Sequence, residues 1–173
     1  MVKNVRSVSI GEIIASNAPD DVLVAYGLGS CVAVCLYDPV ARVGGLLHAL
    51  LPTSAGGVFG DNGRKPISSA RFVDQGTPML IESLVELGAR RGRMIARLCG
   101  GAQVLSALDV VDFLNIGERN VQAAESVLRA EGIRVRAQAT GGGIGRTVRL
   151  YVADGQVTVK SLGQKEQVLF HAT

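Results

Sequence analysis

The fold is decided by residues 22–52, VLVAYGLGSCVAVCLYDPVARVGGLLHALLP, which contain three short apolar runs. The first run ends at the glycine-rich stretch 27–30, the second at Asp38-Pro39 and the third at Pro52. Apolar runs of this length, bounded by Gly and Pro, are typical of buried strands rather than of helices. The second and third runs are consecutive, so a turn at Asp38-Pro39 would let them pair side by side.

The remainder of the chain mixes helical and strand patterns. Helices are predicted over about 69–90 and 118–131, with Pro78 either opening a helix capped by Thr77 or kinking a longer one. Residues 53–67 are rich in Gly, Ser, Asp and Pro and predict a surface loop. Further strands are predicted at residues 93–98, 133–139, 146–153 and 156–162, with a hairpin turn at Asp154-Gly155 and a polar tail that contains His171. No repeat or linker is found, and we expect one α+β domain with mixed sheets over residues 1–173.

The composition is that of a globular protein, with 47% apolar and 19% charged residues. No apolar stretch reaches the roughly 18 residues of a membrane span, and the N-terminus lacks the pattern of a secretory signal. Three cysteines, an odd number, argue against a disulfide framework. We therefore expect a cytoplasmic protein without membrane insertion.

The net charge of +3 is mildly basic, and the only local cluster is formed by Arg90, Arg91, Arg93 and Arg97. This cluster lacks the aromatic side chains that stack on bases. A solvated helix end and strand edge is the better interpretation, so no nucleic-acid partner is expected.

Cys31 is a candidate nucleophile because it follows the turn Gly27-Leu28-Gly29-Ser30 at the start of an apolar strand. The glycines let the backbone bend and leave room for a substrate. Free backbone N–H groups around Gly29 and Ser30 could stabilise an oxyanion. The alternative is a small buried residue, which is the common role of a free cysteine.

His48 lies in the next apolar run, where a buried imidazole needs a polar partner. If the two strands pair, His48 could act as base for Cys31 and generate the thiolate. The alternatives are a core histidine bonded to the backbone, or a metal site with Cys31, Cys35 and Cys99. The paired C-x-x-C spacing of structural zinc sites is absent, so we do not expect a metal site.

Residues 141–145, GGGIG, could suggest a phosphate-binding loop. A strand pattern follows these glycines, whereas phosphate loops lead into a helix N-terminus. A tight turn between strands is therefore the better interpretation.

Several motifs in register resemble the chemoreceptor glutamine deamidases, the CheD family. GLGSCVAVCLYDP and GGLLHALLP resemble the blocks that carry the catalytic Cys and His of that family. ARFVD, CGGAQ, IGERN and TGGGIGR follow in the family's order at residues 70–74, 99–103, 116–120 and 140–146. The resemblance covers roughly residues 8–160.

The resemblance implies hydrolysis of glutamine to glutamate on methyl-accepting chemotaxis receptors, through a thioester on Cys31 with His48 as base and no cofactor. It also implies a CheC-like phosphatase as a regulatory partner. The implied fold is a sandwich of mixed β-sheets with flanking helices, similar to bacterial toxin deamidases.

One position departs from the family pattern. The family usually has a threonine six residues before the cysteine, as the third member of its catalytic set, and here that residue is Ala25. Because a third group normally orients the imidazole, we expect a backbone carbonyl near Ala25 to accept its outer N–H. Otherwise the chain would be a catalytically weak paralogue that binds receptors or the phosphatase.

Overall fold

The computed structural model describes residues 3–54, 68–103 and 115–170. These residues form two five-stranded mixed sheets and two α-helices, which confirms the predicted α+β sandwich. In chain order the elements are β1 (Asn4–Ser7), β2 (Glu12–Ser16), β3 (Asp21–Leu28), β4 (Val32–Asp38), β5 (Val43–Ala49), α1 (Val73–Glu86), β6 (Ile95–Gly100), α2 (Ile116–Ala130), β7 (Arg134–Thr140), β8 (Arg146–Tyr151), β9 (Val157–Ser161) and β10 (Gln167–Phe170). Short 3-10 helices at Ser69–Arg71 and Arg91–Arg93 precede α1 and β6.

The first sheet has the strand order β1-β3-β8-β9-β10 and the second has the order β2-β5-β4-β6-β7. β4 and β5 pair antiparallel, as predicted from the turn at Asp38-Pro39. This turn is fixed because the Asp38 carboxylate accepts hydrogen bonds from the N–H groups of Val40 and Ala41. Of the helices in the described ranges, none is long and apolar enough to cross a membrane.

β4 is buried on both faces because it lies in the middle layer. Val32, Val34 and Leu36 belong to the core beneath the helices. The alternate residues, including Ala33 and Cys35, belong to the core between the two sheets. Successive side chains of a strand point to opposite faces, so the continuous apolar run that starts at Cys31 serves two cores at once.

Three details correct or refine the predicted elements. Pro78 lies inside α1, so the longer helix is the right alternative. The predicted polar tail is wrong over residues 167–170, because these residues form β10 against β9. β1 and β2 were not predicted from the sequence. The predicted loop at 53–67, beyond Ser54, and His171 lie outside the described residues.

Candidate active site

Cys31 lies directly before β4, at the point where the chain leaves the turn of residues 27–30. Its side chain belongs to the core between the sheets but remains 6% exposed, whereas Cys35 and Cys99 are fully buried. Gly27 adopts a φ of 65°, a left-handed conformation that suits glycine. The turn therefore delivers Cys31 to the edge of the core and not to its centre.

The strand register brings Cys31 and His48 to one face of the second sheet. His48 on β5 is the direct cross-strand partner of Ala33 on β4. Cys31 precedes Ala33 by two residues and shares its face, since both side chains enter the same core. Diagonal neighbours in an antiparallel pair have Cα atoms about 7–8 Å apart, within reach of long side chains.

The imidazole of His48 is held by a backbone carbonyl. His48 Nδ1 lies 3.0 Å from the carbonyl oxygen of Val8, which can only accept a hydrogen bond. The proton therefore resides on Nδ1, and Nε2 carries the free electron pair. Nε2 is buried and has no hydrogen-bond partner among the described residues, as a base awaiting a proton would be.

This geometry corrects the expectation for Ala25. The acceptor for the outer N–H of His48 is the Val8 carbonyl, not that of Ala25. Ala25 is fully buried in the core that also contains Cys31, and its strand pairs with β8. A backbone carbonyl therefore accepts the hydrogen bond, as expected, but this carbonyl belongs to Val8 in the segment that continues β1.

Val8 is held in place by hydrogen bonds on both sides. Its own N–H donates to the Val24 carbonyl at 2.8 Å, which extends the parallel pairing of β1 with β3. The following turn is closed by the N–H of Ser9, which donates to the Glu12 carboxylate at 2.8 Å. Gly11 then donates to the carbonyl of His48 at 2.8 Å, so the same loop contacts both the backbone and the ring of that residue.

Burial favours the neutral forms of both candidate catalytic groups. It raises the pKa of the Cys31 thiol above its ordinary value, against the opposing effect of the residue's own N–H. Burial also lowers the pKa of His48, although the Val8 carbonyl and Glu12 act in the opposite direction. The resting site therefore holds a thiol and a neutral imidazole, so thiolate formation has to be coupled to proton transfer to Nε2.

The carbonyl groups of residues 29–31 all point into the protein. Gly29 O accepts from the N–H of Ala102 at 2.7 Å, and Cys31 O accepts from the N–H of Gly101 at 2.8 Å. Ser30 O accepts from the side-chain amide of Asn120 at 2.8 Å. Because C=O and N–H point in opposite directions across a trans peptide, the N–H groups of Ser30 and Cys31 are turned the other way.

Cys35 and Cys99 have settings that suit core residues. Burial raises the pKa of Cys35 to about 12 and that of Cys99 well above its ordinary value. Within residues 3–54, 68–103 and 115–170, no group of three or more His, Cys, Asp or Glu side chains could hold a metal ion.

The glycine-rich segment 141–145 connects β7 in one sheet to β8 in the other, and a strand follows it, as predicted. It lies beside the turn of residues 27–30, since a Cβ on Gly145 would be 3.8 Å from the carbonyl oxygen of Leu28. Three of the four arginines of the predicted cluster are engaged within the chain. Arg91 pairs with Glu82 and Glu131, Arg93 pairs with Asp38, and Arg97 is buried in β6.

Two contributors to the site were not predicted from the sequence. Val8 acts through its backbone, so its side chain gives no signal beyond an apolar residue before a Ser-Ile-Gly-Glu turn. Asn120 is the last residue of IGERN, a motif that carried part of the family resemblance, although no role was predicted for any of its residues. The structure shows that this amide is fully buried on its helix, which sets Asn120 apart from an ordinary surface residue.

Comparison with known proteins identifies the family. The model of the family described as CheD chemotactic sensory transduction matches residues 50–161. A protein of Desulforamulus reducens named "Probable chemoreceptor glutamine deamidase CheD" is 46% identical over 147 residues, which cover 85% of each chain. This chain belongs to the CheD family. A CheD relative of the same name from Symbiobacterium thermophilum is 39% identical over 167 residues, covering 96% of this chain and 98% of its own length. Cys31 and His48 both precede residue 50, where the match to the family model begins. The alignment with the Symbiobacterium relative covers 96% of this chain and is therefore long enough to include both residues.

The solved structures that match this chain include a DUF152 protein of Neisseria meningitidis, NMB0706, with a TM-score of 0.45 and 12% identity over 76% of this chain and 52% of that chain. The YfiH protein of Bacillus licheniformis has a TM-score of 0.44 and 14% identity over 82% of this chain and 60% of its own. The likeness to bacterial toxin deamidases, which the family resemblance implies, stays a prediction.

Proposed function

We propose that this chain is a cytoplasmic protein-glutamine deamidase that converts glutamine to glutamate on methyl-accepting chemotaxis receptors through a thioester on Cys31. The observation that carries the proposal is the setting of His48, which faces the strand of Cys31 with Nδ1 bonded to Val8 and Nε2 without a described partner. Membership in the CheD family and the names of its relatives support the choice of substrate.

The proposed reaction has two acyl-transfer steps. Cys31 Sγ attacks the carbon of the glutamine side-chain amide while His48 Nε2 accepts the thiol proton. The imidazolium returns this proton to the departing nitrogen, the C–N bond breaks and ammonia leaves a thioester. Water then attacks the thioester with Nε2 as base, the C–S bond breaks, and glutamate and the free thiol are released. The N–H groups of Ser30 and Cys31 are the proposed donors to the oxyanion in both steps.

A second candidate function is a module that binds receptors or a CheC-like phosphatase without efficient chemistry. The raised pKa of the Cys31 thiol favours this alternative, because a resting thiol is a poor nucleophile. The CheC-like phosphatase itself is proposed from the family resemblance alone. Co-purification of this chain with that phosphatase from the same organism tests the partner separately from the chemistry.

The activity is tested with a cytoplasmic receptor fragment from the same organism and mass spectrometry of its peptides. We expect the mass of specific glutamine-containing peptides to rise by the difference between an OH and an NH₂ group, with release of ammonia. Cys31→Ala is the inactive variant, and Cys35→Ala is the matched control on the same strand face. A fragment that binds the wild-type protein and keeps its glutamines would favour the binding module.

A further inference from the structure

Asn120 joins the two backbone segments that carry the candidate catalytic residues. Its Nδ2 donates one hydrogen bond to the carbonyl of Ser30 at 2.8 Å and another to the carbonyl of Leu50 at 2.9 Å. Ser30 directly precedes Cys31, and Leu50 follows His48 by two residues. Both acceptors are carbonyl oxygens, so the orientation of the amide is unambiguous.

The contact depends on an unusually close approach of α2 to the site. Gly117, one turn before Asn120 on the same helix face, has no room for a side chain, since a Cβ there would lie 2.5 Å from the carbonyl oxygen of Gly101. Gly101 in turn donates its N–H to the carbonyl of Cys31. The glycines of CGGAQ and IGERN thus bring the helix close enough for Asn120 to reach the turn of residues 27–30.

Asn120 is poorly suited to a purely stabilising role. Its side chain is fully buried, and its Oδ1 has no hydrogen-bond partner among the described residues. A buried polar atom without a partner costs free energy that an apolar side chain would avoid. Its two N–H donors, in contrast, both bind carbonyls next to the candidate catalytic residues.

We infer that Asn120 is a positioning residue that fixes the Ser30–Cys31 peptide so that the N–H of Cys31 faces the reacting carbonyl. The peptide is trans and planar, so a carbonyl held by α2 directs the N–H of the same peptide to the opposite side. Within the described structure, no other residue accepts a hydrogen bond from this N–H. The donor is therefore oriented before substrate binds, as an oxyanion site requires. The natural substrate of this oxyanion site rests on the proposed function, whereas the test below uses small reagents and does not depend on that function.

The test compares two reactions of the same thiol in the full-length protein. p-Nitrophenyl acetate acylates Cys31 through a tetrahedral oxyanion: the C–S bond forms, the ester C–O bond breaks and p-nitrophenolate leaves. Iodoacetamide alkylates Cys31 by direct displacement of iodide, without an oxyanion. In Asn120→Ala we expect acylation of Cys31 to slow by about 10²-fold, the effect of losing one oxyanion donor. Alkylation should change by less than about threefold, since it requires neither that donor nor the tetrahedral intermediate.

Two further variants keep the inference falsifiable. Asn120→Leu keeps a similar volume and removes both donors without adding a charge, so it should also slow acylation selectively. Leu128→Ala, on the same helix and fully buried, should lower stability without changing the ratio of the two rates. An equal fall of both rates in the Asn120 variants, or the same altered ratio in Leu128→Ala, would show a structural role only and overturn the inference.

The same variants separate this inference from the proposed function. With the receptor fragment, Asn120→Ala should lower kcat by about 10²-fold and leave KM nearly unchanged, because the donor acts only in the transition state. If wild-type protein deamidates no receptor but the acylation ratio still falls in Asn120→Ala, the proposed function fails and the positioning role stands. If receptors are deamidated and the ratio does not change, the positioning role fails alone.

Discussion

Cys31 and Cys35 flank Ala33 on one face of the same strand segment, and Ala33 faces His48 directly. The register alone therefore gives both cysteines the same diagonal relation to the imidazole. Their surroundings differ: Cys35 is fully enclosed and burial raises its pKa to about 12, whereas Cys31 is 6% exposed and follows a turn in which the N–H groups of Ser30 and Cys31 have no backbone acceptor among the described residues. Proximity to a histidine therefore does not by itself distinguish the two cysteines. We propose Cys31 as the nucleophile because it lies at the end of the strand, where substrate and the proposed oxyanion donors can reach the sulfur.

The largest expected effect is removal of one thiol but not the other. Cys31→Ala should reduce kcat for receptor deamidation by at least about 10³-fold, since loss of a nucleophile removes the covalent route. Cys35→Ala should keep kcat and lower only the melting temperature, because it removes a core sulfur. Peptide mass spectrometry and thermal unfolding measure the two effects. If Cys31→Ala retained its activity, Cys31 would not be the nucleophile and the proposed difference between the two cysteines would be wrong.

Removal of the imidazole should have the next largest effect. His48→Gln should lower kcat by about 10²- to 10⁴-fold, which is the usual contribution of a general base. The decrease should be greatest at neutral pH, where the Cys31 thiol is protonated. Steady-state deamidation kinetics measure it. A variant that keeps wild-type kcat would show that His48 is a core residue bonded to the backbone.

The pH dependence sharpens the comparison further. Burial lowers the pKa of His48, so kcat/KM should rise with pH through this lowered pKa, on the acid side of an ordinary histidine titration, and then level off at neutral pH. Iodoacetamide requires a preformed thiolate, and burial raises the pKa of Cys31, so alkylation should continue to climb into the alkaline range. Cys35 should stay unmodified in the folded protein throughout. Deamidation that rises in parallel with alkylation would contradict proton transfer to His48 during attack.

The smallest effect is expected at the position that departs from the family pattern. Ala25→Thr restores the family's hydroxyl in the core that contains Cys31. The Val8 carbonyl already accepts the Nδ1 proton of His48, so kcat should change by less than about tenfold, the most that one ordinary hydrogen bond would provide. Kinetics of the purified variant measure the change. A much larger gain would show that the Val8 carbonyl is an inadequate substitute.

Sequence reasoning predicted the centre of the fold well because its signals are local. The apolar runs at residues 22–26, 31–37 and 42–51 gave β3, β4 and β5, and Asp38-Pro39 gave the turn that aligns Cys31 with His48. β1, β2 and β10 were missed because they are short edge strands. β1 has a largely exposed, polar sequence, NVRS, and β10 contains Gln167 and an exposed Val168. Edge strands of this kind lack a long apolar run and depend on pairing with a neighbour.

The less predictable part of the site depends on backbone and long-range contacts. A carbonyl such as that of Val8 carries no side-chain signature, and its partner is 40 positions away. Asn120 lies 90 positions from Ser30, and its role depends on glycines that permit two segments to touch. Pairings at such separations are set by tertiary packing, which a local pattern does not report.

The central claim, a thioester on Cys31, is tested most directly by adding hydroxylamine to the deamidation of the receptor fragment. A thioester is intercepted by hydroxylamine, so the account predicts glutamyl hydroxamate at the glutamines that otherwise become glutamate. The hydroxamate should disappear with Cys31→Ala and persist with Cys35→Ala. Glutamate as the sole product, or hydroxamate formed equally by Cys31→Ala, would contradict the assignment of Cys31 as the nucleophile.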